Sequence, residues 1–219
     1  MSLDFKERLL ECGLTVDAAC RGSAFRELVL EENGRQNLTR LTSAEDFFRG
    51  HVRDVLELRT FREKRGLLGA SAVDLGSGAG VPGLLSAALF EGEQWVLVES
   101  ELRKAEFLGR ATQELALSDR VTVLRGRMET LGPEIRSQVV VSRAVGQVEK
   151  LFGWLEGCST WNTLVLLKGP RWKEEWAEFL RGRHQGKLRL EHAHEYSVEG
   201  DIRRLIIQLG RVPRGTTKK

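Results

Sequence analysis

The 219-residue chain has few cysteines and no long apolar run. Its three cysteines, Cys12, Cys20 and Cys158, have neither the spacing of a metal site nor the density of a disulfide framework, which is typical of a reducing compartment. No apolar stretch approaches the roughly 20 residues that a membrane-spanning helix needs, and charged residues within the first eleven positions argue against a secretory signal peptide. We therefore expect a cytoplasmic protein without membrane contact, whose cysteines are buried thiols without a chemical role.

The chain also lacks a strong excess of either charge, since its formal net charge at pH 7 is +3. The charges are unevenly distributed: residues 168–219 carry 13 basic and 7 acidic side chains, whereas residues 66–167 carry 9 and 12. Such a basic segment suits a polyanionic partner, but an ordinary solvated surface would look the same. We expect residues 211–219, with four basic residues and no acid, to form a flexible basic tail.

Hydrophobic periodicity divides the chain into a helical part and an alternating part. Up to about residue 60, apolar residues recur every three or four positions, which predicts a helical cap over residues 1–60, with Thr42 or Ser43 capping one helix. Beyond it, over residues 61–210, short apolar runs alternate with amphipathic stretches, which predicts an α/β domain with a mainly parallel seven-stranded sheet, helices on both faces and a final hairpin. The predicted strands are residues 71–75, 95–98, 121–124, 139–142, 163–168, 188–196 and 204–209, and the predicted helices between them are residues 82–90, 102–116, 147–155 and 172–181.

The segment DLGSGAGVPG, residues 74–83, follows a predicted strand and precedes a predicted helix. Its alternate glycines let the backbone turn sharply and approach a ligand closely, and the free N–H groups of the helix favour an anionic group. A dinucleotide-binding fingerprint would place the third glycine at Val81 rather than at Gly80. The observed spacing, preceded by Asp74, resembles the Rossmann-like class I methyltransferases, which bind S-adenosyl-L-methionine.

Glu99 ends the second predicted strand, where such folds offer an acid to the ribose hydroxyls of a nucleoside. A carboxylate can accept hydrogen bonds from both hydroxyls. The alternative is that the glycines only make a tight turn and that Glu99 is a solvated acid at the start of a helix. On the first interpretation, the cofactor-binding residues of this part of the chain are Asp74, Gly76, Gly78, Gly80 and Glu99.

The residues after the fourth predicted strand, Ser142-Arg143-Ala144-Val145, disfavour two kinds of methylation. They lack the Asp/Asn-Pro-Pro-Tyr/Phe clamp with which amino-methylating enzymes hold an exocyclic nitrogen. No cysteine stands there to attack a pyrimidine ring, because Cys158 lies 15 positions beyond Arg143. Exocyclic amines and pyrimidine C5 are therefore poor candidates for the methylated position.

Several ordered motifs extend over nearly the whole chain. They are Asn37-Leu38-Thr39, His51 with Asp54, the loop ending Pro82-Gly83, Lys104 with Phe107-Leu108, Arg127-Met128-Glu129, Ser142-Arg143-Ala144 and Leu167-Lys168-Gly169. Together they resemble the RsmG family, also called GidB, bacterial enzymes that methylate N7 of a guanine in a 16S ribosomal RNA loop near the decoding site. The chain departs from the family at Met128, Val81 and Gly50, where a small residue, Phe or Leu, and Arg are usual.

The resemblance implies S-adenosyl-L-methionine as cofactor and 16S ribosomal RNA or the small ribosomal subunit as partner. We expect a monomer without a metal. By the resemblance, Gly76, Gly78 and Val81 line the methionine and ribose side of the cofactor, Met128 and Glu129 border its adenine, and Arg143 lies between cofactor and RNA. The expected catalytic residues are Arg143 and Lys168, and the expected RNA contacts are Lys104, Arg127 and Lys168.

Guanine N7 already carries an in-plane lone pair, so its methylation needs no general base. The site has to place N7 in line behind the transferred methyl group, and such positioning is worth roughly 7–11 kcal/mol in the best cases. A cation pressed against N7 would oppose the reaction, so we expect Arg143 and Lys168 to contact O6 or a phosphate. These cations can instead be ordinary surface ion pairs.

Three other functional classes stay open on the sequence. A methyltransferase acting on a small molecule or a protein would share the glycine loop. A non-catalytic RNA-binding protein would keep the loop without binding the cofactor. An NAD-dependent enzyme is disfavoured by the glycine spacing.

Overall fold

A computed structural model of the chain describes residues 4–69, 71–198 and 202–213. The helices are α1 (Phe5–Glu11), α2 (Val16–Asn33), α3 (Ala44–Phe47), α4 (Arg53–Lys64), α5 (Gly83–Leu89), α6 (Leu102–Glu114), α7 (Met128–Leu131), α8 (Val148–Leu155) and α9 (Trp172–Phe179), with a π-helical turn at Phe48–Val52. The strands are β1 (Ala72–Leu75), β2 (Trp95–Glu99), β3 (Val121–Arg125), β4 (Val139–Arg143), β5 (Thr163–Lys168), β6 (Leu188–Val198) and β7 (Ile202–Arg211). Of the expected basic tail, Arg211 is the last residue of β7, and residues 214–219 lie outside the described residues.

The strands form one sheet in the order β3-β2-β1-β4-β5-β7-β6. Strands β1 to β5 are parallel, and β7 runs antiparallel between β5 and β6. This confirms the mainly parallel seven-stranded sheet and its final hairpin, and each predicted strand boundary lies within two residues of the observed one. The strand order reverses between β1 and β4, and in open α/β sheets ligands bind outside the carboxyl ends of the strands at this point.

Each face of the sheet packs against helices in its own apolar cluster. Because side chains alternate along a strand, Val139 and Val141 of β4 pack on one face and Val140 on the other. The first face carries α5, α6 and the N-terminal helices, and the second carries α7, α8 and α9. The N-terminal helices therefore lie on the same side of the sheet as the helix that follows the glycine loop.

The segment from α3 to α4 is one bent helical stretch interrupted by the π-helical turn. Its predicted cap is found at Ser43, whose hydroxyl accepts a hydrogen bond from the N–H of Asp46 at 3.0 Å. Gly50 in the turn is buried, and a Cβ at this position would overlap the side chain of Leu41. The apolar spacing predicted a helix here but not the π-helical turn, which often marks a functional site in other proteins.

All three cysteines are free. Cys158 is buried as expected, but the expectation of burial is wrong for Cys12 and Cys20, which are exposed on the N-terminal helices. Among the described residues, no helix has both the length and the apolar character that a bilayer crossing requires.

Candidate functional site

The glycine loop, residues 76–82, joins β1 to α5 at the edge where the strand order reverses. Gly76, Gly78 and Gly80 have φ values of +74°, +53° and +86°, a region that other residues rarely adopt. A Cβ on Gly76 would lie 2.7 Å from Cγ2 of Val145. The loop therefore needs glycine at position 76 both for its conformation and for its close approach to the segment that follows β4.

Asp74 is fully buried behind the loop. Its Oδ2 accepts a hydrogen bond of 2.9 Å from the N–H of Gly83, the first residue of α5. Burial raises the pKa of Asp74 to about 7, against the opposing effect of this hydrogen bond. Its Oδ1 has no hydrogen-bond partner within the described ranges of the chain. Since buried polar atoms are seldom left unpaired, this oxygen offers an acceptor to a group bound at the loop.

Glu99 is buried and holds the glycine loop in place. One carboxylate oxygen accepts from the N–H of Gly78 at 2.9 Å, and the other accepts from the N–H of Glu101 at 2.9 Å. No pattern in the sequence predicted this role. Each oxygen keeps further acceptor capacity, so the contact of Glu99 with ribose hydroxyls stays a prediction.

A first cavity of about 280 Å³ opens at the carboxyl ends of the first four strands. Of the predicted cofactor residues, Gly76, Met128 and Glu129 line this cavity. The others on β1, the glycine loop and β2 do not line it: Asp74, Gly78, Gly80, Val81 and Glu99. Arg127, which was predicted to contact RNA, also lines it. The full lining is Leu75, Gly76, Val98, Ser100, Gly126, Arg127, Met128, Glu129, Val145, Lys150 and Trp154.

The sequence analysis missed the contribution of α8 to this cavity. Lys150 and Trp154 lie one helical turn apart, which brings the Nζ of Lys150 to 5.0 Å from the centroid of the Trp154 ring. Their pairing at the cavity wall depends on how α8 packs on the sheet.

A second cavity, also of about 280 Å³, lies on the other side of the segment Arg143-Ala144-Val145. Val145 lines the first cavity, and Arg143 and Ala144 line the second, so three consecutive residues separate them. Ala144 has a φ of +58°, a strained conformation for a residue with a Cβ and one that is common at functional sites. The lining of the second cavity is Leu41, Gly50, Asp54, Arg143, Ala144, Leu167, Lys168, Gly169, Pro170, Tyr196, Ile202, Arg203 and Arg204.

Arg143 forms hydrogen bonds with residues of the π-helical turn and of α4. Its Nη1 donates to the carbonyl oxygen of Gly50 at 2.8 Å and to Oδ2 of Asp54 at 3.0 Å, and its Nη2 donates to Nδ1 of His51 at 2.7 Å. The buried carboxylate of Asp54 also pairs with Arg204 of β7. One carboxylate therefore pairs with two guanidinium groups at the wall of the second cavity, which leaves one positive charge unbalanced.

Two further groups complete this cluster, which we call the Asp54 network: Thr39, His51, Asp54, Arg143, Tyr196 and Arg204. The hydroxyl of Tyr196 donates to Oδ1 of Asp54 at 2.7 Å. Burial and the nearby Arg143 and Arg204 lower the pKa of His51 to about 3, so its ring is neutral. Because its Nδ1 accepts from Arg143, its Nε2 carries the proton and donates to the hydroxyl of Thr39 at 2.9 Å.

Lys168 of β5 also forms hydrogen bonds, one with a backbone carbonyl group and one with a side chain. Its Nζ donates to the carbonyl oxygen of Gly146 at 2.6 Å and to Oε1 of Glu175 at 2.7 Å, which leaves one of its three N–H groups for another acceptor. Lys104 pairs with Glu101 at 2.7 Å and lines neither cavity. The three predicted RNA contacts, Lys104, Arg127 and Lys168, therefore do not line one common cavity.

Comparison with solved structures shows a shared fold. An O-methyltransferase from Bacillus cereus in complex with SAH superposes with a TM-score of 0.60 and 16% identity, covering 86% of this chain and 91% of that chain. A human methyltransferase 10 domain containing protein superposes with a TM-score of 0.56 and 14% identity, covering 86% and 97%. The chain therefore has the Rossmann-like fold of class I methyltransferases.

Sequence comparison shows the family. A ribosomal RNA small subunit methyltransferase G from Rhodopirellula baltica is 34% identical over 85% of this chain and 78% of its own length. The protein of the same name from Pseudomonas syringae is 30% identical over 81% of this chain and 78% of its own length. The family model described as rRNA small subunit methyltransferase G matches residues 21–203. The chain thus belongs to the GidB family, rRNA small subunit methyltransferase G.

Proposed function

We propose that this protein transfers a methyl group from S-adenosyl-L-methionine to N7 of a guanine in 16S ribosomal RNA, in the cytoplasm. The observation that carries this proposal is the pair of cavities on either side of Arg143-Ala144-Val145. Methyl transfer needs the acceptor atom in line with the transferred methyl group, so the donor site and the acceptor site have to lie next to each other. We also propose that the protein acts as a monomer.

The residues of the first cavity fit the donor. Leu75, Val98 and Met128 supply apolar walls for an adenine ring, and the Gly76 backbone passes where a side chain would fill the space. Asp74, the residue before Leu75 of the cavity wall, is buried with one oxygen unpaired. When bound, S-adenosyl-L-methionine supplies an electrophilic methyl group on its sulfonium sulfur.

The second cavity fits a guanine that reacts through N7. No base is required, and His51 at this wall is neutral. Lys168 pairs with Glu175, and Arg143 shares the carboxylate of Asp54 with Arg204, which reduces the positive charge close to N7. Both side chains retain N–H groups that can donate to O6 or to a phosphate. Arg143 and Lys168 are therefore proposed to orient the purine while leaving its N7 lone pair free.

The function is tested by incubating purified protein with methyl-labelled cofactor and small ribosomal subunits that lack the modification. We expect label at one guanine, located by chain cleavage that is selective for N7-methylguanosine. Labelling of a metabolite extract or of protein instead would support a methyltransferase with another substrate. Absence of cofactor binding in calorimetry would support a non-catalytic RNA-binding protein, and stabilisation by NAD alone would support a dehydrogenase.

A matched pair of lysine variants separates the two cavities. Lys168→Ala should lower RNA methylation and leave the cofactor Kd unchanged, because Lys168 lines only the second cavity. Lys150→Ala should weaken cofactor binding, because Lys150 lines only the first. If Lys168→Ala leaves methylation unchanged, or weakens cofactor binding as much as Lys150→Ala does, the assignment of the cavities is wrong.

A further inference from the structure

We infer that Arg40, Arg171 and Arg203 form a phosphate-binding rim around the second cavity, which grips the RNA backbone on either side of one unstacked purine. The inference rests on the proposed function and deepens it, because it states how the RNA is held and in which form. The rim residues come from three separate parts of the chain: the loop before α3, the loop after β5 and the start of β7.

Each rim arginine adjoins an apolar wall residue of the second cavity. The pairs are Arg40 with Leu41, Arg171 with Pro170, and Arg203 with Ile202. Arg203 is itself a lining residue, and the Cα atoms of Arg40 and Arg171 are each about 3.8 Å from that of a lining residue. All three side chains are exposed.

The charges of the rim are largely uncompensated. In the part of the chain that the structure describes, neither Arg40 nor Arg171 forms an ion pair with a carboxylate. Within residues 4–69, 71–198 and 202–213, the carboxylate that Arg203 contacts is that of Glu195, at 3.6 Å, with side chains 74% and 54% exposed, and such a pair is worth little. Inside the cavity, by contrast, Asp54 pairs with both Arg143 and Arg204 and balances one of these two positive charges. The positive charge at the rim is thus the more available one for phosphates, while the paired groups within suit a base.

The shape of the second cavity selects the form of the RNA. Leu41, Pro170 and Ile202 supply apolar walls, and the space of about 280 Å³ has room for a base but not for a duplex. An enzyme that modifies a base in such a cavity needs that base to leave its stack, which is least costly in single-stranded RNA. Sequence-specific proteins accordingly recognise RNA mainly in loops and bulges. The occupant is therefore a looped segment of RNA with one guanine turned inward.

The test compares two triple variants that remove the same charge. The rim variant carries Arg40→Gln, Arg171→Gln and Arg203→Gln. The control variant carries Arg181→Gln, Arg183→Gln and Arg189→Gln, exposed arginines outside the second cavity; Arg189 pairs with Gly210, at the end of β7 opposite to Arg203. Exposed substitutions of this kind change stability by only about 0.5 kcal/mol, and unfolding curves check this.

The readout is the binding of a fluorescent RNA hairpin with a guanine in its loop, measured by anisotropy from 50 to 300 mM salt. For single strands, each lost phosphate contact lowers the slope of log Kd against log salt concentration by about 0.7. The rim variant, which loses three contacts, should therefore have a slope lower by about 2. Its affinity for the hairpin should be roughly 10- to 50-fold weaker. Cofactor Kd should stay unchanged, and the control variant should bind RNA like the parent protein.

Three results would overturn the inference: unchanged binding by the rim variant, an equal loss in the control variant, or a fully paired duplex that binds as tightly as the hairpin. The proposed function fails separately, because RNA binding is measured without turnover. If the rim variant loses RNA affinity while the parent protein methylates no guanine, the rim stands and the proposed reaction falls.

Discussion

Replacing Gly76 with alanine adds one methyl group where the glycine loop passes over the segment that follows β4. The residue has a φ of +74°, and holding a residue with a Cβ in the left-handed region costs roughly 1–2 kcal/mol. The new Cβ would also lie 2.7 and 2.9 Å from the two methyl groups of Val145, and overpacking of this kind costs roughly 1–3 kcal/mol. Gly76→Ala should therefore lower the free energy of unfolding by roughly 2–5 kcal/mol and weaken cofactor binding.

Gly78 provides a matched control two positions along the same loop. Its φ is +53°, and the nearest atom to an added Cβ is 3.9 Å away. Gly78→Ala should therefore show the conformational cost of roughly 1–2 kcal/mol without the overpacking. Combining Gly76→Ala with Val145→Ala should relieve the contact, so the double variant should be more stable than the sum of the two single changes predicts.

Urea unfolding at 25 °C measures the stabilities, and calorimetry measures the cofactor Kd. The reasoning is refuted if Gly76→Ala is no more destabilising than Gly78→Ala. It is also refuted if the two changes at positions 76 and 145 are simply additive, because then Val145 is not the group that the new methyl meets.

Three further predictions concern buried carboxylates. Glu99→Gln leaves one of two backbone N–H groups without its acceptor, so it should cost roughly 1–3 kcal/mol and weaken cofactor binding; an unchanged Kd would contradict this. The pKa of Asp74, about 7, lies above its ordinary value of 3.8, so between these pH values the folded state keeps a proton that the unfolded state has lost. The free energy of unfolding therefore falls by up to about 1.4 kcal/mol per pH unit as the pH rises through this range. Urea unfolding of Asp74→Asn from pH 5 to 8 should lack that slope. Asp54→Asn leaves Arg143 and Arg204 without their counter-charge and should cost roughly 3–5 kcal/mol, and a loss below 1 kcal/mol in thermal unfolding would exclude this role.

Patterns along the sequence predicted the elements that build the site. The apolar runs predicted the central strands β1, β4 and β5, because a strand buried on both faces has to be almost continuously apolar. Ser43 was one of two predicted helix caps, and capping depends on residues only three positions apart. The alternate glycines predicted the loop, because a positive φ strongly favours glycine.

Long-range pairing accounts for what the sequence left out. Arg143 is 89 positions from Asp54, and Tyr196 is 142 positions from it, so no local spacing predicts that one carboxylate joins them. The sequence likewise left open whether Lys168 forms an ion pair, and the structure pairs its ammonium group with Glu175. Arg143 and Lys168 were both predicted to contact the substrate directly, and the structure shows that each also pairs with a carboxylate.

The sequence by itself thus determined the strands, the turn with its glycines and the family to which the chain is similar, since these depend on neighbours within a few residues. Only the tertiary structure decided which charges meet, that two cavities adjoin across three residues, and that the hairpin reaches back to the N-terminal helices. The physical reason is that the free energy of a buried ion pair depends on the distance between its atoms, and that distance is set by the packing of the whole sheet and its helices.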